Sequence, residues 1–239
     1  KMINYIIKFL IELIDYNNKK KIINFLKSKF SNKKNLQIID AGAHYGETTK
    51  LLLNHFDIDK IYCFEPSHEN FKILKKKFSK LTSVQLYNYG LANKDGTFEF
   101  FQTSESSSST FVKINKNSKY YNKKYLILNL GLKKNYINTK CDVKKGINFF
   151  IENKINNIDL LKIDTEGFEY EVLDGIGKEL NKVKFIYFEH HFDDMLKKSY
   201  TLTSIHQFLV NNNFEKVFKL KMNFRKAFEY IYMYKVNKK

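Results

Sequence analysis

The stretch Leu36-Gln-Ile-Ile-Asp-Ala-Gly-Ala-His-Tyr-Gly46 passes from an apolar run through a glycine-marked turn into a helical pattern. Gly42 permits close backbone approach at the strand's end, and Gly46 opens a helix whose N-terminus carries partial positive charge. From Leu36 onward, short apolar runs alternate with amphipathic helical stretches, the pattern of βαβ units in a largely parallel sheet. The runs predict strands at Gln37 to Ala41, Lys60 to Phe64, Val84 to Leu91, Ile158 to Asp164 and Val183 to Phe188. Between them the apolar spacing predicts helices at about Glu47 to Phe56, Ser67 to Lys80, Val143 to Asn153 and Phe168 to Leu180, with Ser67 as an N-cap. A helix over Thr201 to Val210 then leads to two β-rich runs, Glu215 to Leu220 and Phe228 to Tyr234. Their connection is too short for a parallel crossover, so they pair as an antiparallel hairpin.

Outside this rhythm lie two regions. Lys1 to Tyr16 is apolar at helical spacing but carries Lys8 and Glu12, and a second helical stretch runs from Lys21 to Phe30. Residues 1–33 are expected to form a helical cap, packed on the 34–239 domain or against a second subunit in a homodimer, with peripheral contact to a membrane surface as the alternative. Residues 97–157 are the least regular part of the domain and hold the Ser-rich Thr103 to Thr110 and the apolar Tyr125 to Leu132. Preceding a strand whose end is rich in chemistry, they form a candidate acceptor-side insertion.

Composition narrows the class. The 239 residues are 43% hydrophobic and contain two cysteines, which excludes a disordered chain and a disulfide framework and suggests a cytoplasmic protein. No apolar run reaches the ~20 residues that span a bilayer, and no small-residue cleavage site follows the N-terminal stretch. The net charge of +17 is almost entirely lysine, with Arg225 the single arginine. Arginine supplies the bidentate contacts of nucleic-acid interfaces, so a lysine-coated surface is the better reading of that charge.

Four acids fall at predicted strand ends, where open α/β sheets bind ligands: Asp40, Glu65, Asp164 and Glu189. Asp40 and Glu65 are 25 residues apart, as are Asp164 and Glu189. The first pair reads as a nucleoside site. D-A-G-A-H-Y-G, Asp40 to Gly46, lacks the closely spaced glycines of a pyrophosphate-cradling loop, and Glu65 stands where a carboxylate can accept from both ribose hydroxyls. The second pair reads as chemistry: Lys162 and Asp164 share a strand face in L-L-K-I-D-T-E-G-F-E, and F-E-H-H ends the next strand. Carboxylates and an imidazole converging on one crevice suit either a divalent cation or a proton acceptor for a hydroxyl.

D-A-G-A-H-Y-G-E, the strand ending F-E-P at Phe64 to Pro66, K-I-D-T-E-G-F-E at Lys162 to Glu169 and the strand ending in Glu189 resemble the FkbM-type methyltransferases. The resemblance spans about Leu36 to His191. It implies a seven-stranded Rossmann-like sheet closed by an antiparallel hairpin, S-adenosylmethionine as cofactor, and O-methylation of a sugar hydroxyl in a glycan, glycolipid or glycosylated metabolite. It further implies that Asp40, Gly42, Ala43, His44 and Gly46 line the methionine part of the cofactor. Glu65 would then hold its ribose, and Ala92 and Asn93 would stand beside its adenine. Asp164 would lie beside the methyl group and the acceptor hydroxyl; our own expectation is that Asp164, with Glu189 and His190, deprotonates that hydroxyl, while Lys162 orients Asp164 or stabilises the developing alkoxide. A similarity to metal-dependent O-methyltransferases implies magnesium or manganese on Asp164, Glu189 and His190, although Glu-His stands where those enzymes usually carry Asp-Asp or Asp-Asn. The rival readings are an RNA ribose methyltransferase and a non-catalytic S-adenosylmethionine-binding module. Pro66 is the only proline, so the Pro-Pro motif common in base-amino methyltransferases is absent.

Overall fold

The computed structural model describes residues 17–103, 106–122, 136–223 and 225–236. The expected helix over Lys1 to Tyr16, the Tyr125 to Leu132 run and part of the Ser-rich stretch lie outside them. The chain order is helix α1 (residues 17–30), β1 (Leu36–Ala41), α2 (Glu47–Leu53), β2 (Ile58–Phe64), α3 (His68–Phe78), β3 (Val84–Tyr87), β4 (Gly90–Ala92) and β5 (Gly96–Thr103). After α4 (residues 119–122) come β6 (Tyr136–Lys145), α5 (Gly146–Glu152), β7 (Ile158–Ile163), α6 (Glu169–Ile176), β8 (Val183–His191), α7 (Leu202–Asn211), β9 (Phe214–Lys221) and β10 (Ala227–Tyr234).

Seven strands form one sheet in the order β3-β2-β1-β7-β8-β10-β9. All pair in parallel except β10, which runs antiparallel to both β8 and β9. The fold is thus a Rossmann-like sheet closed by the expected hairpin. Its strands are apolar on both faces because helices cover both. On one side Ile22, Leu26 and Phe30 of α1, with Leu52 of α2 and Leu74 and Phe78 of α3, pack on Ile38, Ile61, Leu160 and Phe185. On the other, Phe149, Val172, Leu173, Ile205 and Leu209 of α5, α6 and α7 pack on Ile39, Leu161, Ile163 and Ile186. The Phe30 ring meets Phe185 edge-on, 5.3 Å between centroids, so residues 17–30 are part of the sheet's covering layer. No helix among the described residues is long and apolar enough to cross a membrane.

The expected strand Val84 to Leu91 is two strands in different sheets. Asn88 donates its side-chain amide to the backbone carbonyls of Glu65 and Pro66, and the chain turns there. β4 then joins β6 and β5 in a three-stranded sheet of order β4-β6-β5. Residues 97–157 therefore contain a regular antiparallel β5–β6 ribbon, and the helix expected from Val143 begins only at Gly146 because Val143 to Lys145 belong to β6.

Candidate active site

Strand order reverses at β1, which has β2 on one side and β7 on the other, leaving a crevice beyond the carboxyl ends. The register aligns one lateral row across that end of the sheet: Asp40 opposite Lys162, and Lys162 opposite Tyr187. Two residues further along, past the end of β7, come Asp164 and then Glu189, which faces Glu229 across β8 and β10. Side chains two apart on a strand share a face, so these residues and His191 point to the same side. A cavity of about 920 Å³ opens there, lined by Gly42, Ala43, His44, Glu65, Lys162, Asp164, Glu166, Tyr187, Glu189, His191, Arg225 and Glu229 among others.

At the β1–β2 end, Gly42 adopts φ +81°, and a Cβ there would stand 2.0 Å from the carbonyl oxygen of Asp164. The glycine lets the β1 loop pass directly over the end of β7. His44, also left-handed with φ 50°, donates its backbone N–H to Glu65 at 2.8 Å. Ser67 N–H and the Asn70 amide supply two more donors, at 2.9 and 3.4 Å. Burial nonetheless pushes the Glu65 carboxyl above its ordinary range against these donors. Each carboxylate oxygen has two lone pairs, so acceptor capacity remains on the cavity side. This oriented carboxylate, 4% exposed, fits the hydroxyls of a nucleoside ribose.

Other expected residues have supporting positions. Asp40 is fully buried and outside the cavity lining; it accepts from Thr49 Oγ at 2.7 Å and stands 3.3 Å from Lys162 Nζ. Gly46 is likewise outside the lining, and a Cβ on it would strike the Phe78 ring at 2.2 Å. Ala92 and Asn93 do not reach the cavity either: Ala92 is buried against Gly175, and the Asn93 amide binds Asp174. β4 leaves the main sheet, and Gly90 and Leu91 are the residues it presents to the cavity instead.

The K-I-D-T-E-G-F-E block resolves into distinct duties. Lys162 Nζ bridges Asp40 and Asp164, at 3.3 and 3.2 Å. Burial alone would lower its pKa, but Asp164 and then Asp40 outweigh it and keep the ammonium charged. Against burial, Lys162, with His191 and Arg225, holds the Asp164 carboxyl below the ordinary aspartate range. Glu166, φ 51°, places its carboxylate 3.4 Å from His191. Glu169 turns inward and knits the loop, accepting from Thr165 N–H, Thr165 Oγ and Gly167 N–H at 3.3, 3.2 and 2.9 Å, and from the Tyr200 hydroxyl.

The imidazole of the site is His191, not His190. Strand alternation puts His190 on the opposite face, against the Phe192 and Tyr200 rings, where burial pushes its pKa down to about 3 and keeps it neutral. Burial would lower His191 too, but Glu166, Asp193 and Glu189 around it raise its pKa to about 10. The His191 ring nitrogens lie 3.4 Å from Glu166, 3.5 Å from Glu189 and 3.6 Å from Asp193, so its surroundings favour the protonated ring. Glu189 is raised by burial and by Asp164, against His191, and Glu229 is raised well above its ordinary value by burial, Glu189 and Asp164.

The expected divalent-cation ligands do not fit that role. His190 stands on the opposite sheet face from Asp164 and Glu189 and cannot converge with them, and Asp164 is paired with Lys162 at 3.2 Å. No group of three or more His, Cys, Asp or Glu among the described residues is arranged to hold a metal ion.

Glu166, Tyr187, His191, Arg225 and Glu229 had no assigned role in the sequence reading. His191 was available from parity, since it shares the strand face of Glu189. Glu229 was signalled as the one charged residue within the apolar run Ala227 to Tyr234. The Ser-rich loop also reaches the site: Ser106 Oγ lies 2.7 Å from His44 Nε2 and donates to the Tyr45 hydroxyl at 2.9 Å.

The model of the methyltransferase FkbM domain matches residues 40–219. "Methyltransferase 1" of Beauveria bassiana (strain ARSEF 2860) is 26% identical over 148 residues, 59% of each chain. Among solved structures, methyltransferase FkbM from Methylobacillus flagellatus KT aligns with a TM-score of 0.54 at 13% identity, covering 84% of this chain and 44% of that one. Magnesium protoporphyrin IX methyltransferase from Synechocystis PCC 6803, solved with bound SAM, aligns with a TM-score of 0.53 at 8% identity, covering 93% and 81%. At these identities the structural likenesses establish a shared fold. The chain spans 59% of the length of its curated relative and 44% of the Methylobacillus protein.

Proposed function

The chain belongs to the FkbM methyltransferase family, and from that premise we propose that it is an S-adenosylmethionine-dependent O-methyltransferase acting on a sugar hydroxyl. The observation that carries this reading is the row of carboxylates, Asp164, Glu189 and Glu229, on the wall of the same cavity as the buried Glu65. The cofactor, when bound, supplies an electrophilic methyl group on sulfur.

This chain's own residues then perform three tasks. The Gly42 to His44 loop and Glu65 hold the nucleoside and methionine portions at the β1 and β2 ends, with Gly90 and Leu91 on the nucleoside side. Lys162, fixed by Asp40, keeps Asp164 ionised and aimed into the cavity, where its oxygens accept from the acceptor hydroxyl and hold it for in-line attack. Orientation of this kind is worth roughly 7–11 kcal/mol in well-aligned intramolecular systems. Glu189, with its raised pKa, takes the hydroxyl proton, a contribution that is typically ~10²–10⁴-fold. The imidazolium of His191 adds positive charge beside the developing oxyanion.

The acceptor half is bounded by Asn18, Lys19 and Ile22 of α1 and by Met222, Asn223, Arg225 and Lys226 at the β9–β10 turn. Several carboxylates in one wall suit an acceptor with many hydroxyl donors, as a sugar has, better than a phosphate-rich strand. The test is transfer of a labelled methyl group to a panel of glycans, nucleotide sugars and RNA. Wild type labels a glycan or nucleotide sugar, and Asp164→Asn reduces transfer at least ~10²-fold while S-adenosylhomocysteine still binds. Labelling of RNA alone, or full activity in Asp164→Asn, overturns the assignment.

A further inference from the structure

Six non-glycine residues among those described take a left-handed backbone, and three of them, His44, Ser106 and Glu166, line the active-site cavity. Such conformations are costly for residues that carry a Cβ and persist where the surroundings over-determine them. Here side chains do so. Ser106 Oγ lies 2.7 Å from His44 Nε2 and donates to the Tyr45 hydroxyl at 2.9 Å. The other ring nitrogen of His44, Nδ1, lies 3.2 Å from Glu47 Oε2, and the ring stacks on Tyr45 with centroids 3.8 Å apart. Tyr45 is in turn held by Lys77 of α3, whose Nζ donates to its backbone carbonyl at 2.8 Å. The His44 ring is thus bounded at both nitrogens and on one face. Its backbone N–H donates to Glu65 Oε2 at 2.8 Å, so whatever fixes the ring also fixes a donor to the Glu65 carboxylate.

The loop that carries Ser106 is anchored independently of His44. Phe101 and Thr110 exchange backbone hydrogen bonds of 2.8 and 3.2 Å at its base, and Thr103 N–H donates to Ser109 Oγ at 3.1 Å. Thr110 Oγ1 donates to the Glu166 carbonyl at 2.7 Å. Ser106 itself is buried within this serine-rich run. We propose that Ser106 is a positioning residue for the methyl donor, a role that rests on the methyl-transfer reading: it holds the His44 ring and, through the His44 backbone N–H, the Glu65 carboxylate. Residues 106–110 then serve the donor half of the cavity, where the sequence pattern suggested the acceptor side. They also tie that half to Glu166 at the reacting end.

Calorimetric titration of the full chain with S-adenosylhomocysteine tests this without an acceptor. Ser106→Ala and Ser106→Gly are both expected to bind about 3- to 10-fold more weakly than wild type, the cost of one lost hydrogen bond. Glycine suits the φ of 54° better than alanine, so the second variant keeps the loop while removing the hydroxyl. In a His44→Ala background, Ser106→Ala should weaken binding by less than about 2-fold further, because its effect runs through the ring. A full effect of Ser106→Ala in that background overturns the proposal. So does a Ser106→Ala chain whose urea midpoint falls while its S-adenosylhomocysteine affinity stays that of wild type, which is the signature of a loop residue with no part in donor binding. Binding by wild type with equal affinity in both Ser106 variants overturns the positioning role alone, whereas no binding by wild type overturns the methyl-transfer reading and this role with it.

Discussion

His191 and His190 are adjacent in the chain, yet their pKa values are shifted in opposite directions, and the difference follows from which sheet face each side chain occupies. His191 meets three carboxylates and His190 meets two aromatic rings. Because His191 has its pKa raised to about 10, folding favours its protonated form. That stabilisation is fully present below an unfolded value of ~6.5 and is lost as pH rises through about 10. The unfolding midpoint of wild type should therefore fall more steeply between pH 7 and 10 than that of His191→Gln, measured by chemical denaturation; parallel curves would refute the imidazolium. At this scale the sequence was informative for residues whose role is set by strand ends. Asp164, Glu65 and Lys162 all lie where strand-end logic put them. It was less so where a ladder partner decides the matter: Glu229 acquires its place only when β10 pairs with β8, some 40 residues away in sequence.

At the element scale the parallel strands were legible because burial on both faces writes them as continuous apolar runs. β5 and β6 were not, because β6 is largely exposed along its length, β5 mixes exposed and buried positions, and the two pair antiparallel outside the main sheet, leaving interrupted apolar patterns. The break between β3 and β4 depends on Asn88 hydrogen bonds to a segment more than 20 residues earlier, which no local pattern reveals. The junction of β1 with the β7 end is the element contact on which the site depends. Gly42→Ala adds both a forbidden contact with the Asp164 carbonyl and a strained φ of +81°. A loss of at least about 2 kcal/mol in urea unfolding is expected, with weaker nucleoside binding. A fully stable Gly42→Ala would contradict the described approach of the two strand ends.

Across the whole molecule, the cavity gathers Asn18, Lys19 and Ile22 from α1, residues of the family-matched 40–219 segment, and Met222, Asn223, Arg225, Lys226 and Glu229, so both ends of the described chain contribute to it. The +17 charge is spread over a lysine surface, whereas the cavity sets Asp164, Glu189 and Glu229 among Lys162, His191 and Arg225. Overall charge is therefore a poor guide to the ligand, and the local row is the better one. The central claim is that this cavity binds the methyl donor through Glu65. Calorimetric titration with S-adenosylhomocysteine tests it most directly. Wild type should bind at one site per chain, and Glu65→Gln should bind about 10- to 100-fold more weakly, as expected for loss of charged hydrogen bonds worth ~1.5–3 kcal/mol. No binding by wild type, or equal affinity in Glu65→Gln, would contradict it.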